Sequence, residues 1–355
     1  MKYKLSVTSQ LKKLIKDGYI TKKISPCGKL YLLNYTDKTT YESKWNMYTL
    51  NARGNVYEVG TDIIVARAFP KFFNLSEHAR SRQRAILKDD KFTAYEKADG
   101  SLGICFHYEG EWRVNTRGSF TSEQAVKAKQ LLEIKYDMSM VPTDVTLLVE
   151  IIYPENRIVV NYGDEEKLVL LAVFDNVTMK ETDGELTSEV TRIPRTKQYH
   201  FASIKEMVEL QETLSKDEEG FVVKLKDGMR VKIKGKEYLR VHRILSNLTP
   251  LNFWRSMVEG RVVIEMETIP EEVREEVQDT IDQLETKYWK VYWECLTEYK
   301  SLDALYEIAD AKSLGLAIKE QGDKLKHSAS LFPQFHGKSI DGYVMKLIRP
   351  VGNEL

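Results

Sequence analysis

The run Lys97-Ala98-Asp99-Gly100 places a primary amine directly before a tight-turn dipeptide. Gly takes a positive φ without steric cost and Asp tolerates one, so Asp99-Gly100 reads as a turn. A lysine at a strand end beside such a turn can be aimed into a cleft, where a desolvated or cation-flanked amine acts as a nucleophile. Downstream, in order, come the groups such an amine would need. Glu150 interrupts the apolar run from Thr146 to Tyr153, and a carboxylate there must be paired or bind something. Glu219-Gly220 opens the run Phe221-Val222-Val223, and Asp227-Gly228 then turns the chain into Met229 to Lys234. Strand side chains alternate faces, so Arg230, Lys232 and Lys234 share one side while Val231 and Ile233 share the other. A solvated hairpin would explain the tetrapeptide alone, and a wet hairpin face the lysine pair alone. The ordered set favours chemistry.

These residues need strands to hold them. Phe92 to Tyr95 and Leu102 to Tyr108 read as strands flanking the Lys97 turn, as do Thr146 to Tyr153, Leu168 to Asp175, Glu219 to Lys224 and Met229 to Lys234. After about Leu245 the pattern changes to helices. Thr268 is a candidate N-cap and Pro270 fits a first helical turn. Val273, Val277, Ile281, Leu284, Tyr288, Val291, Cys295, Tyr299 and Leu302 then recur at steps of three or four, an amphipathic helix. Further helices are expected over about Leu302 to Asp310 and Leu314 to His327. Trp289, Tyr292 and Trp293 could stack bases, but rings at helical spacing are more often core.

Composition bounds the reading. A length of 355 residues suggests two domains, and 42% hydrophobic residues supply a core. Three scattered cysteines (Cys27, Cys105, Cys295) form no CxxC pair, which predicts a reducing compartment and no disulfide framework. The start Met1-Lys2-Tyr3-Lys4 reads as no signal peptide, and no apolar run is long enough to span a membrane. A cytoplasmic location in a phage- or bacterium-like context follows as the expectation. With 53 basic and 53 acidic residues, any nucleic-acid affinity must come from local patches. The favoured patch runs from Lys232 through Lys234, Lys236, Arg240 and His242 to Arg243. If Lys232 and Lys234 are surface residues, replacing them should shift stability by no more than about 0.5 kcal/mol.

The ordered set resembles the covalent nucleotidyltransferases, which comprise ATP-dependent DNA and RNA ligases and mRNA capping enzymes. Its motifs stand here as Lys97-Ala98-Asp99-Gly100, Thr116-Arg117-Gly118-Ser119, Leu148-Val149-Glu150, the strand ending at Phe174, Glu219-Gly220-Phe221-Val222-Val223 and Val231-Lys232-Ile233-Lys234. Ala52-Arg53-Gly54, Pro70-Lys71-Phe72-Phe73-Asn74-Leu75, Pro154 to Val160 and Lys232 through Tyr238 are similar to RNA ligases of the bacteriophage T4 RNA ligase 1 type. The resemblance covers Met1 to about His242 well and the rest loosely. It implies an α+β fold. An N-terminal nucleotidyltransferase domain, residues 1–245, would have antiparallel sheets forming an ATP cleft, and an all-helical C-terminal domain would follow over 246–355.

The activity implied is ATP-dependent joining of 5′-phosphate and 3′-hydroxyl RNA ends, as in RNA or tRNA repair. Lys97 would carry AMP, pass it to the RNA 5′ end and so activate that end for sealing. Its partners would be ATP and single-stranded RNA or broken tRNA ends, with no protein partner inferred. Near pH 7.4 a lysine with a pKa of about 10.4 is neutral about one part in a thousand, an obstacle of roughly 4 kcal/mol. Lys232, Lys234, Arg117 and bound metal are expected to lower it. By the same resemblance Lys232 and Lys234 contact the α-phosphate, Arg53 and Lys71 the outer phosphates, and Arg117 the nucleotide or RNA phosphate. Asp99, Gly100 and Tyr238 line the nucleotide site. Glu150 and Glu219 anchor Mg²⁺, with Mn²⁺ as the substitute, or hold the ribose, and Glu219 counts with the lysines as catalytic. The adenine would rest near Val173 and Val222. The acidic pair that the family carries after an Asp-Gly is replaced after Glu259-Gly260 by Val263 and Ile264, with Glu265 and Glu267 nearby.

Other readings use the same chemistry or none of it. A DNA ligase or capping-type guanylyltransferase is disfavoured by the lack of a recognisable oligonucleotide-binding barrel after Lys234. A non-catalytic RNA-binding relative would not require nucleophile, acids and cations together.

Overall fold

A computed structural model describes residues 3–260 and 271–351. Val263, Ile264, Glu265, Glu267, Thr268 and Pro270, considered above from sequence, lie outside them. Strands form where β-branched and aromatic residues sit between turn dipeptides. In chain order they are β1 (Ile20–Ile24), β2 (Leu30–Tyr35), β3 (Arg53–Glu58), β4 (Ile64–Ala66), β5 (Phe73–Asn74), β6 (Phe92–Glu96) and β7 (Ser101–Tyr108). Then follow β8 (Glu111–Thr116), β9 (Val145–Ile152), β10 (Lys167–Asp175), β11 (Glu181–Thr182), β12 (Gln198–Tyr199), β13 (Gly220–Leu225) and β14 (Arg230–Lys234). They make three sheets, ordered β1-β2-β3-β4, β11-β10-β9-β7-β8 and β12-β6-β13-β14-β5. Pairing is antiparallel apart from the short parallel contact of β14 with β5.

The middle sheet is covered on both faces, so β9 reads as an almost unbroken apolar run. Leu147, Val149 and Ile151 pack with Leu131 and Leu132 of the helix Glu123–Lys135. Leu148 faces the other way, onto Leu32, Val56 and Phe106. Burying each such side chain stabilises by about 1.5–3 kcal/mol. Glu150 is therefore the one acid in a strand that is otherwise all core, and it needs a reason to be there.

Three local expectations change. Lys97 to Gly100 do not close a hairpin, because β6 and β7 belong to different sheets; the segment crosses from one to the other. In β10 the register slips between Leu170 and Ala172. That bulge reverses the alternation, so Val173 joins Leu168 and Leu170 in the helix-covered core and cannot support a base. In the second half, the helix Glu271–Tyr306 runs past Leu302, and the next is Ala311–Gln321. Asp310 starts that helix as its N-cap, accepting from Ser313 N–H, so no helix spans Leu302 to Asp310. Gly322 follows Gln321 as the C-cap, and the helix ends well before His327.

The chain divides into two compact units, Met1–Arg240 and Val241–Leu355, with the division inside the helix Lys236–Asn247. Every named element among the described residues beyond that helix is itself helical. Val277, Leu284, Cys295 and Leu302 are buried. Trp289 and Trp293 are 51% and 57% exposed, so they are not core, whereas Tyr292 packs beside Cys295.

Candidate active site

The crossover from β6 to β7 is what aims Lys97. Its backbone N–H donates to the Gly220 carbonyl at 2.8 Å, which ties it to the first residue of β13 and so to Glu219. Asp99 fixes the other end. Its Oδ2 accepts from the Val159 and Val160 N–H groups, both at 2.9 Å, and its Oδ1 accepts from the Tyr238 hydroxyl at 2.8 Å. Asp99 and Tyr238 are thus buried and committed to each other, holding the loop rather than facing a ligand. Gly100 is required for space. A Cβ there would lie 2.5 Å from the Ile151 carbonyl oxygen, and its φ is not positive, so the turn preference read from sequence is not the cause.

Glu219 is 2% exposed at its side chain and bridges two lysines. Oε2 receives Lys97 Nζ at 2.6 Å and Oε1 receives Lys234 Nζ at 2.7 Å. Gly220 allows this approach. It takes φ +126°, and a Cβ would sit 2.2 Å from the Ile233 carbonyl oxygen. Register does the rest, pairing Gly220 with Lys234 and Val222 with Lys232.

Electrostatics reverse one expectation. Burial by itself would lower the Lys97 pKa, but the Glu219 and Glu150 carboxylates outweigh it and raise it. The carboxylates prevail, so the amine is held as ammonium. Lys232 behaves as had been expected of Lys97. Burial first, then the charges of Lys97, Arg53, Lys71 and Lys234, push it down to about 7. It has no ion pair among the described residues, and its Nζ lies 4.9 Å from the Phe72 ring centroid. It is not an ordinary surface lysine. Glu150 is pushed up to about 7, chiefly by burial, and no hydrogen bond reaches its carboxylate among the described residues.

A cleft of about 200 Å³ opens beside these groups. Arg53, Lys97, Glu150 and Lys232 line its polar part, and Phe69, Leu171 and Val222 its apolar part. Arg53 is half-buried and its Nη1, itself buried, is unpartnered, a guanidinium waiting for an acceptor. Arg230 stacks on Phe69 at 4.3 Å and pairs with Glu181 at 2.6 Å. Phe69, Leu171 and Glu181 were missed from sequence; the bulge in β10 hid Leu171. Lys71 lies among aromatic rings, and Arg117 donates to the Tyr35 hydroxyl at 2.7 Å. The proposed basic patch is largely neutralised, since Lys236 pairs with Glu212 and Arg240 with Glu237.

Comparison with known proteins supplies a family. The sequence model of the RNA ligase family matches residues 51–238. The chain is 30% identical over 246 residues to a candidate bifunctional polynucleotide kinase/RNA ligase of Autographa californica nuclear polyhedrosis virus, covering 61% of this chain and 35% of that protein. It is 32% identical over 204 residues to a candidate RNA ligase of Thermovibrio ammonificans, covering 54% and 52%. The matches thus span about a third and about half of these curated relatives. An archaeal ATP-dependent RNA ligase shares the fold, with a TM-score of 0.50 at 17% identity over 88% of this chain and 86% of that one. No described helix is long and apolar enough to cross a membrane.

Proposed function

Because the chain belongs to the RNA ligase family, we propose that it joins RNA 5′-phosphate and 3′-hydroxyl ends with ATP, through AMP carried on Lys97 and then on the RNA 5′ end. Broken RNA, including tRNA, is the substrate class. The observation that carries this reading is the meeting of Lys97, Glu219 and Lys234 beside a cleft that also holds Glu150, Arg53 and Lys232.

Phosphoryl transfer depends mostly on positioning and charge stabilisation. ATP enters with its base against Val222 and Leu171 and its phosphates toward Arg53 and Lys232. Lys97 gives up a proton, for which Glu219 Oε2 at 2.6 Å is the placed acceptor. Its nitrogen then forms a bond to the α-phosphorus as the bond to the pyrophosphate oxygen breaks. Lys232 and Lys234 balance charge on the α-phosphate, while Arg53 and Lys71 hold the departing pyrophosphate and Arg117 the nucleotide or RNA phosphate. Asp99, Gly100 and Tyr238 keep the Lys97 loop in place.

A divalent cation fits Glu150, whose buried carboxylate has no donor among the described residues and a raised pKa. Glu219 fits less well, since both its oxygens are taken by lysines. The described residues hold no cluster of three or more metal-ligating side chains, so Mg²⁺ or Mn²⁺ would complete its shell with water and phosphate oxygens, as Mg²⁺ commonly does. Such an ion neutralises phosphate charge.

The test is to incubate the protein and Lys97→Ala with α-labelled ATP or GTP and Mg²⁺, then to add 5′-phosphorylated single-stranded RNA or DNA. Label on the wild type from ATP only, none on the variant, and transfer to RNA are expected. Labelling by GTP, transfer to DNA alone, or label on another lysine would sink the proposal.

A further inference from the structure

Lys71 is an ammonium with no ion pair among the described residues, held instead by three rings. Its Nζ lies 5.7 Å from the ring centroid of Tyr35, 5.6 Å from that of Trp45 and 5.2 Å from that of Phe73. Each distance is within reach of a cation–π attraction. The rings brace one another. Trp45 meets Tyr35 edge-on at 5.2 Å and Phe73 edge-on at 5.4 Å. Trp45 is the central ring of the three, and sequence pattern had given it no role.

The chain around Trp45 is built to present it. Ser43 takes a left-handed φ of 50°, a conformation rare for a residue with a side chain. The next turn is pinned by a reciprocal cap. Asn46 Oδ1 accepts from the Thr49 N–H at 3.2 Å, and the Asn46 N–H donates to Thr49 Oγ1 at 2.8 Å. The same Thr49 hydroxyl donates to the Lys44 carbonyl at 2.8 Å. Lys71 is tied to this turn through its N–H, which donates to the Leu50 carbonyl at 2.7 Å.

We infer that Trp45 is a positioning residue for Lys71, and that the ring box keeps its ammonium oriented and free of any carboxylate, ready for the outer phosphates of ATP or for free pyrophosphate. A carboxylate would hold the lysine equally well but would cancel its charge and compete with the phosphates. Rings attract the cation and leave it available. The ring of the next residue, Phe72, lies 4.9 Å from Lys232 Nζ and 5.6 Å from the Arg53 guanidinium, so the box stands beside the same basic groups. This inference rests on the ligase reading given above.

The experiment compares wild type, Trp45→Leu, Trp45→Phe, Lys71→Met and Trp45→Leu/Lys71→Met. Three quantities are read: the ATP concentration for half-maximal Lys97 labelling, the pyrophosphate concentration that strips the label, and the rate of sealing pre-adenylated RNA. Trp45→Leu should raise both concentrations roughly three- to thirty-fold, as loss of a partly desolvated cation–π contact would. Sealing should stay within twofold, because that step uses neither ATP nor pyrophosphate. Trp45→Phe should recover most of the loss, and adding Trp45→Leu to Lys71→Met should cost little more. Unchanged ATP and pyrophosphate dependence in Trp45→Leu overturns the inference. So does a sealing defect as large as the labelling defect, which would make Trp45 merely structural. Failure of the wild type to label at all would instead overturn the ligase reading.

Discussion

Replacing Lys232 with methionine should make the protein more stable while damaging its chemistry. Lys232 is pulled from 10.5 to about 7 by burial and by four neighbouring cations. In the unfolded chain the amine returns to about 10.4. Between these values the unfolded state binds the proton and the folded state does not, so through this group stability rises with pH. The penalty is fully present below pH 7 and fades toward pH 10.5. A gap of 10.5 − 7 = 3.5 corresponds to about 5 kcal/mol as an upper bound, at ~1.36 kcal/mol per pKa unit. The cleft mouth is open to water, so screening reduces this to roughly 2 kcal/mol at pH 7 and about 1 kcal/mol at pH 9. Methionine keeps the length and the contact with Phe72 but carries no charge. Lys232→Met should therefore melt ~4–8 °C higher at pH 7, taking ~2–4 °C per kcal/mol for a domain of this size. The gain should be about half as large at pH 9, and Lys97 labelling should fall at least roughly a hundredfold, the scale of losing an electrostatic partner in the transition state. Thermal melts of both proteins at pH 6, 7 and 9, beside the labelling assay, provide the check. An equal or lower melting temperature at pH 7, or a gain that grows with pH, would refute the electrostatic account.

Gly100→Ala should cost about 1–3 kcal/mol and abolish labelling, because its Cβ meets the Ile151 carbonyl oxygen at 2.5 Å. Gly118→Ala should be mild, since the nearest atom there among the described residues is the Asn34 amide tip at 3.1 Å; chemical denaturation of both variants compares them. Glu150 has a raised pKa of about 7, so its charge destabilises the fold above pH 7, and that penalty disappears as pH falls toward 4.5. Glu150→Gln should therefore stabilise by roughly 1–2 kcal/mol at pH 8 and hardly at all at pH 4.5, while weakening metal-dependent labelling. Equal effects at both pH values would argue against it.

Much of the strand scaffold could be read directly from the chain. Alternation and turn dipeptides marked β9, β13 and β14, and the order of Lys97, Glu150, Glu219, Lys232 and Lys234 along them pointed to one site. These are local signals, because which face a side chain takes depends on residues one or two positions away. The same locality explains the errors. A single bulge in β10 exchanged Val173 for Leu171 in the cleft. The tetrapeptide at Lys97 looked like a hairpin turn because neither strand reveals which sheet it will join.

Sequence by itself determined which charged groups are present and in what order, and the period at which the long second-half helix repeats. Tertiary structure alone decided the sign of their interactions. Lys97 and Glu219 are 122 residues apart and meet at 2.6 Å, and that distance, with the burial around it, makes Lys97 an ammonium and leaves Lys232 as the depressed amine. Trp45 and Lys71 form a box only because the turn at 43–49 and the strand β5 are brought together. Coulomb energy and desolvation depend on separations in space, which chain position does not encode.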